Sequence, residues 1–300
     1  MSDCTHDCST CGESCGERKE ANVFEKKPLR PGCRVGKVYG VVSGKGGVGK
    51  STVSANLALA LQQEGAKVGL LDADVYGPSQ PTMLGITDKP YSVDGKTLEP
   101  MVAHGLQVAS VGVLIDPDQP MIWRGPLAVS ALQQLLKQTN WKDLDYLIVD
   151  MPPGTGDIQL SLSQEVPLTG AVVVTTPQDI ALMDARKGLV MFEKVNVPIL
   201  GIIENMATHI CSKCGHEEHI FGEGGAAKMA AQYGVELLGE LPLDINIRLS
   251  MDKGEPIVIS DPDSKVAQAY REIARKLAVA VSKKNKDYSA KMPSIKVSDT

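Results

Sequence analysis

Gly44-Lys45-Gly46-Gly47-Val48-Gly49-Lys50-Ser51-Thr52 has the make-up of a loop that grips phosphate. It satisfies G-x-x-x-x-G-K-[ST] and lies between an aliphatic run and a helical pattern, the context this motif requires. The glycines let successive backbone N–H groups converge on phosphate oxygens. The helix starting near Lys50 turns the positive end of its dipole the same way. Lys50 is placed to neutralise β- and γ-phosphates, and the Ser51 hydroxyl to ligate Mg²⁺. Carboxylates close two later aliphatic runs: Asp72-Ala73-Asp74 after Val68-Gly-Leu-Leu, and Asp150 after Leu147-Ile-Val. Ligands of an open α/β sheet gather at the carboxyl ends of strands, so these acids are expected to face the phosphates, with Asp72 as an outer-shell partner of Mg²⁺.

The seven cysteines form a second group with chemical potential. Cys4, Cys8, Cys11, Cys15 and Cys33 crowd the first 33 residues, and Cys211 and Cys214 stand far downstream. An odd count in a chain this long argues against a disulfide framework. Clustered thiolates suit zinc, copper(I) or iron–sulfur clusters instead. The downstream pair sits in His209-Ile-Cys211-Ser-Lys-Cys214-Gly-His216-Glu-Glu-His219. That stretch supports three readings: a tetrahedral zinc site on Cys211, Cys214, His216 and His219; a redox dithiol; or half of a four-thiolate [4Fe–4S] site shared by two subunits. The four thiols from Cys4 to Cys15 could wrap one cluster or one zinc ion with no other structure. Cys33 has no partner in that spacing.

The elements that must position these groups follow from the aliphatic pattern. Residues 39–43, 68–72, 146–150, 171–175 and 199–203 read as buried strands. Helical spacing covers roughly 50–63, 125–138, 179–195, 224–233 and 263–282. In the last of these, Val266, Tyr270, Ile273, Leu277 and Val281 make one apolar stripe. Alternation of this kind implies right-handed crossovers and a doubly wound, mostly parallel α/β sheet. With aromatics at 4% and hydrophobics at 43%, the core must be aliphatic. Residues 1–34 and 284–300 lack a face to bury and are expected to be a Cys-rich flexible tail and a disordered tail around one domain, 35–283. A net charge of −5 gives no sign of a nucleic-acid partner. No apolar stretch approaches about 18 residues, so no membrane span is expected. The first residues lack a secretory-signal layout, which points to the cytoplasm.

The second lysine of the loop, Lys45, resembles the deviant Walker A class of P-loop ATPases, which includes the MinD/ParA proteins, the arsenical pump ATPase and the nitrogenase iron protein. The resemblance implies that Lys45 reaches the nucleotide of a second subunit, a cation supplied in trans. It also implies that Asp74 orients the attacking water, that Asp150 is the Walker B acid holding Mg²⁺ through water, and that the Gly154 amide senses the γ-phosphate. Asn205, with no Lys or Asp following, resembles the adenine-contacting residue of the ATP-binding members.

Taken together, G-K-G-G-V-G-K-S-T, L-L-D-A-D-V-Y-G-P-S, D-M-P-P-G-T-G-D, the late Cys-x-x-Cys, and F-G-E-G-G followed by L-P-L-D resemble the Mrp/ApbC family of iron–sulfur cluster carriers across roughly residues 35–283. The resemblance implies a weak ATPase using ATP and Mg²⁺. It implies a homodimer bridged by a [4Fe–4S] cluster on Cys211 and Cys214 of both chains, and transfer of that cluster to apo iron–sulfur proteins, with assembly scaffolds as further partners. Eukaryotic scaffolds of the family also carry an N-terminal four-cysteine site, though with wider spacing than Cys4, Cys8, Cys11 and Cys15. Two other functions stay open: a zinc-stabilised MinD/ParA-like switch, and cluster-dependent electron transfer.

Overall fold

The computed structural model describes residues 35–113, 125–211 and 213–284; the cysteines at 4, 8, 11, 15 and 33 and the tail beyond 284 lie outside these. In chain order the elements are β1 (Val35–Val42), α1 (Lys50–Gln63), β2 (Val68–Asp72), α2 (Gln80–Met83), β3 (Met101–Ala103) and β4 (Leu106–Ser110). Then come α3 (Gly125–Gln138), β5 (Leu144–Asp150), α4 (Asp157–Glu165), β6 (Gly170–Thr175), α5 (Asp179–Lys194) and β7 (Ile199–Glu204). A small hairpin of β8 (His209–Ile210) and β9 (Glu217–Glu218) follows. The chain continues through α6 (Gly225–Tyr233), β10 (Leu237–Glu240), α7 (Ile245–Asp252), α8 (Ile257–Ser260) and α9 (Lys265–Lys284).

Eight strands form one sheet in the order β10-β7-β6-β1-β5-β2-β4-β3. All neighbours run parallel except β3, which is antiparallel to β4. Helices cover both faces, and the period-two alternation of side chains sorts each strand between them. Tyr39, Val41, Leu70, Ile148, Val172 and Val174 belong to the core beneath α1 and α9. Val38, Val42, Leu71, Leu147, Val149, Ala171 and Val173 belong to the core beneath α3 and α5. The stripe expected on the last helix is buried at all five positions.

The five expected strands are present, and three further ones extend the sheet. β3 and β4 are short and lie at one edge; β3 alternates in exposure and β4 is interrupted by Gln107 and Ser110, so neither reads as an aliphatic run. They are joined by His104-Gly105, both at positive φ (49° and 83°), the backbone of a tight primed hairpin turn. β10 is a four-residue strand at the opposite edge. Leu277 on α9 is fully buried in the first core. Leu277→Ala is expected to lower the unfolding free energy by about 2–5 kcal/mol, read by denaturant titration.

Candidate phosphate site and cysteine hairpin

The phosphate loop leaves the end of β1 and enters α1. Gly47 and Gly49 both sit at φ +81°, a region that L side chains rarely adopt. Gly44 passes so close to α5 that a Cβ there would stand 2.2 Å from the Asp184 carbonyl. Val48 is buried in the first core and anchors the loop. The loop borders a hollow of about 210 Å³ whose lining includes Lys45, Gly47, Lys50, Ser51, Asp74 and Pro153. A larger hollow of about 720 Å³ beside β3 contains none of the motif residues. Chemistry marks the site, and size does not. Lys45 is exposed at the rim and makes no ion pair among the described residues.

Strand register brings the acids together. Asp72 on β2 is the direct partner of Asp150 on β5, and Asp150 lies opposite Val41 near the end of β1. Both carboxylates are fully buried. Asp150 Oδ1 accepts from Lys50 Nζ at 2.5 Å and from the Ser54 hydroxyl at 2.9 Å. Its Oδ2 accepts from Gln80 Nε2 at 2.9 Å. Asp72 Oδ2 accepts from the backbone amides of Ser79 and Gln80 and from the Ser110 hydroxyl, while Oδ1 accepts from the Asp74 amide. Asp74 is itself tied through Oδ1 to the amides of Tyr76 and Gly77, both at 3.3 Å.

Burial first, and the Asp150 charge second, push the Asp72 carboxyl up to about 7, against the pull of the Gln80 and Asp74 amides and of Lys50. Ser51 and Asp150 therefore stand together, with Asp72 one strand away. Gln80 Oε1 is also buried here without a donor among the described residues. A hydroxyl, two carboxylates and an orphaned acceptor are a donor set that fits Mg²⁺ with its water shell. Ser54, Gln80 and Ser110 were not singled out by the motif. Ser54 could have been found from its i+4 spacing to Lys50, which puts both on one face of α1.

Two expected phosphate or base contacts are otherwise engaged. The Gly154 amide donates to the Ser43 carbonyl at 3.0 Å, so its hydrogen is directed at the loop's first turn rather than at the hollow. The buried Asn205 donates Nδ2 to the Val48 carbonyl at 2.9 Å. A Cβ on Gly49 would sit 2.3 Å from that same nitrogen, so glycine is required for the contact. Asn205 thus braces the phosphate loop from behind.

Six residues after Asn205 comes Cys211. The intervening chain is pinned: Ala207 N donates to Leu241 O, Leu243 N to Thr208 O, and β8 pairs with β9. Cys211 N donates to His216 O and Gly215 N to Cys211 O, closing a tight turn with Gly215 at φ +72°. Cys211 is half-buried and Cys214 exposed. Amides of Lys213 and Cys214, with the Cys214 side chain, hold the Cys211 thiol below its ordinary range. The four-ligand zinc set is not assembled: among the described residues no three His, Cys, Asp or Glu side chains converge on a metal position. His219 Nδ1 instead meets the Ala207 carbonyl at 3.0 Å. Two thiolates from a single hairpin remain.

A family model described as NUBPL iron-transfer P-loop NTPase matches residues 34–278. This chain belongs to that family. It is the Mrp/ApbC group of iron–sulfur cluster carriers that the motifs resemble. The iron-sulfur cluster carrier protein of Salmonella typhimurium is 61% identical over 242 residues, 80% of this chain. The match spans 66% of that relative's length, just under two thirds. Among solved structures, the Archaeoglobus fulgidus nucleotide-binding protein in complex with ADP superposes with a TM-score of 0.68 at 36% identity, covering 78% of this chain and 91% of its own. The Pyrococcus furiosus cell division ATPase MinD gives a TM-score of 0.61 at 26% identity, covering 81% and 99%. The Mrp/ApbC chain is thus a mostly parallel P-loop NTPase of the MinD/ParA type. Among its described residues no helix is long and apolar enough to cross a membrane.

The buried Asp72 makes a signed prediction for this family member. Its folded-state pKa lies above the ordinary 3.8, so its contribution to stability is full below about 4 and is lost as pH rises through about 7. Denaturation midpoints across that window should show a declining component that Asp72→Asn removes.

Proposed function

We propose that this chain is an ATP-dependent carrier of iron–sulfur clusters. It binds ATP at the Gly44–Thr52 loop, holds a [4Fe–4S] cluster as cargo on Cys211 and Cys214 of two copies, and passes it to apo iron–sulfur proteins. One observation carries the reading: the cysteine hairpin hangs from the same short segment whose first residue, Asn205, braces the phosphate loop. Six residues of chain span at most roughly 20 Å. Movement of the loop on binding nucleotide therefore has a short, hydrogen-bonded route to the thiols. A [4Fe–4S] cluster takes four thiolates, and each hairpin offers two, so a pair of copies completes the set. The names of the relatives, as carriers of iron–sulfur clusters, support the same cargo.

In this reading Lys50 exchanges Asp150 for the β- and γ-phosphates, and the loop amides hold the same oxygens. Ser51 and Asp150 would be the residues that hold Mg²⁺, which would supply neutralising charge for the triphosphate. Asp74, fixed through Oδ1 by its own loop, orients water toward the γ-phosphorus through Oδ2. Lys45 projects from the rim to the nucleotide of the second copy. Hydrolysis then separates or reorients the copies, and the shared ligand set opens. Cys4, Cys8, Cys11 and Cys15 would form a second, independent ligand group.

Anaerobic reconstitution with iron and sulfide tests this. The chain lacking residues 1–34 should take up one [4Fe–4S] cluster per two chains by Mössbauer and absorbance spectra, and Cys211→Ala/Cys214→Ala in that background should lose it. One zinc per chain with no cluster uptake sinks the proposal. Transfer to an apo-acceptor should slow at least tenfold in Lys50→Ala, on the scale at which allosteric coupling operates. Because Lys50 forms a buried ion pair with Asp150, a thermal melt of that variant accompanies the assay.

A further inference from the structure

Gln80 opens α2, seven positions beyond Ala73, in a stretch that the phosphate-loop motif does not include. It is fully buried. Its backbone amide donates to Asp72 Oδ2 at 3.1 Å. Its side-chain Nε2 donates twice, to the Ser51 carbonyl at 3.0 Å and to Asp150 Oδ2 at 2.9 Å. Both neighbours of that nitrogen are acceptors, so the amide orientation is fixed: a flipped amide would set oxygen against a carboxylate. One residue thus touches both buried acids and the residue whose hydroxyl fits Mg²⁺. It also begins the helix that follows the Asp74 loop.

The remaining atom, Oε1, is buried with no donor among the described residues. A buried acceptor with no donor is costly, and one placed against a ligand site calls for an explanation. Nothing apolar in the core requires a glutamine here. A Leu or Met would remove the orphaned oxygen but would strip the Ser51 carbonyl and Asp150 Oδ2 of their donor. What a glutamine adds is a neutral donor for Asp150 beside a free acceptor. A carboxylate that holds a metal through water needs that pair of functions: one partner to fix its rotation, and an acceptor for the water's second proton.

We propose that Gln80 is a positioning residue for Mg²⁺ at the phosphate site, fixing the Asp150 carboxylate through Nε2 and offering Oε1 to a water of the metal's shell. The inference rests on the Mg²⁺–ATP reading above and deepens it. It also gives the Asp74 loop a tether to the metal, because the same residue holds Asp72 through its backbone. Loss of the side chain removes the donor at Asp150 Oδ2, while Lys50 and Ser54 still hold Oδ1. The affected quantity is therefore the metal's contribution to nucleotide binding, separate from binding itself.

The test uses the full chain and a fluorescent N-methylanthraniloyl ATP, titrated in EDTA and again across Mg²⁺ concentrations. In Gln80→Met, which matches the shape without the amide, the half-saturating Mg²⁺ concentration should rise by about 10- to 100-fold, the range found when partners of metal ligands are removed. Binding in EDTA should match the wild type. Gln80→Asn, smaller and with its amide one methylene short of Asp150, should shift the same way, and serves if the Met variant fails to melt cooperatively. An unchanged Mg²⁺ dependence in both variants overturns the inference. So does an equal loss with and without metal, the mark of a purely structural role. A wild type that binds no nucleotide under any condition overturns the function proposed above as well, whereas a wild type that binds while the variants follow it overturns this inference alone.

Discussion

Two carboxylates side by side, both stripped of water, cannot stand in a sheet unless something else solvates them. The parallel register of β2 and β5 imposes that situation on Asp72 and Asp150, and much of the site follows from how it is relieved. One ammonium, Lys50, is available, and it comes from the helix that the phosphate loop opens. The remaining relief comes from neutral donors: Ser54 on the same helix, Ser110 at the end of β4, and the amides of residues 74, 79 and 80. The donors come from three segments, α1, the 74–80 connection and the end of β4, so the acids stitch the phosphate loop, the Asp74 loop and the sheet edge into one unit. A buried ion pair is weak evidence for stability in itself, because desolvation offsets most of its attraction. Its value here is positional: a cation and two anions are held where a triphosphate and its metal would rearrange them.

The back of the phosphate loop is held by a different kind of contact. Gly49 leaves just enough room for the Asn205 amide, and Asn205 grips the Val48 carbonyl. A hydrogen bond of this sort contributes about 0.5–1.5 kcal/mol net, while allosteric couplings run at about 1–3 kcal/mol. One such contact can bias the cysteine hairpin measurably without dictating its state. The hairpin's own anchors, Leu241 to Ala207 and Thr208 to Leu243, tie it to the segment leaving β10 rather than to the loop. A nucleotide signal reaching the thiols through Asn205, as proposed, would work against these anchors at the sheet edge.

The elements that carry the site were legible because they are the most buried. The strands that end in Asp72 and Asp150 have no exposed face, so they appear as plain aliphatic runs, while α1 is announced by the phosphate loop that opens it and α9 by its apolar stripe. What stayed hidden lies at edges or in irregular backbone. β3 and β4 run for only three and five residues, too short for a pattern to stand out, and β10 has only four. Motif matching assigns side chains to phosphate and metal. It has no way to register that Gly154 and Asn205 are also obliged to satisfy carbonyls of the loop itself. Gln80 was illegible for a related reason: its role depends on two acids brought together by register, and register is a property of the folded sheet.

The contrast between the two thiols and the acids bears on why a carrier would be built this way. Asp72 and Asp150 are surrounded, with donors fixed before any ligand arrives, which suits a site that must hold its charge geometry through repeated cycles. Cys211 and Cys214 are the reverse. They lie on a two-rung hairpin, one half-buried and one exposed, and among the described residues no histidine or carboxylate closes around them. A four-ligand set within one chain would retain its metal as long as the chain stayed folded, as structural zinc sites do. In the proposed shared site, with two ligands per chain, retention would depend on a second copy, and anything that altered the pairing of copies would alter the hold on the cargo by half its ligands at once. A group meant to be handed on is better kept on an incomplete site than on a finished one, and in this hairpin the His219 ring meets the Ala207 carbonyl.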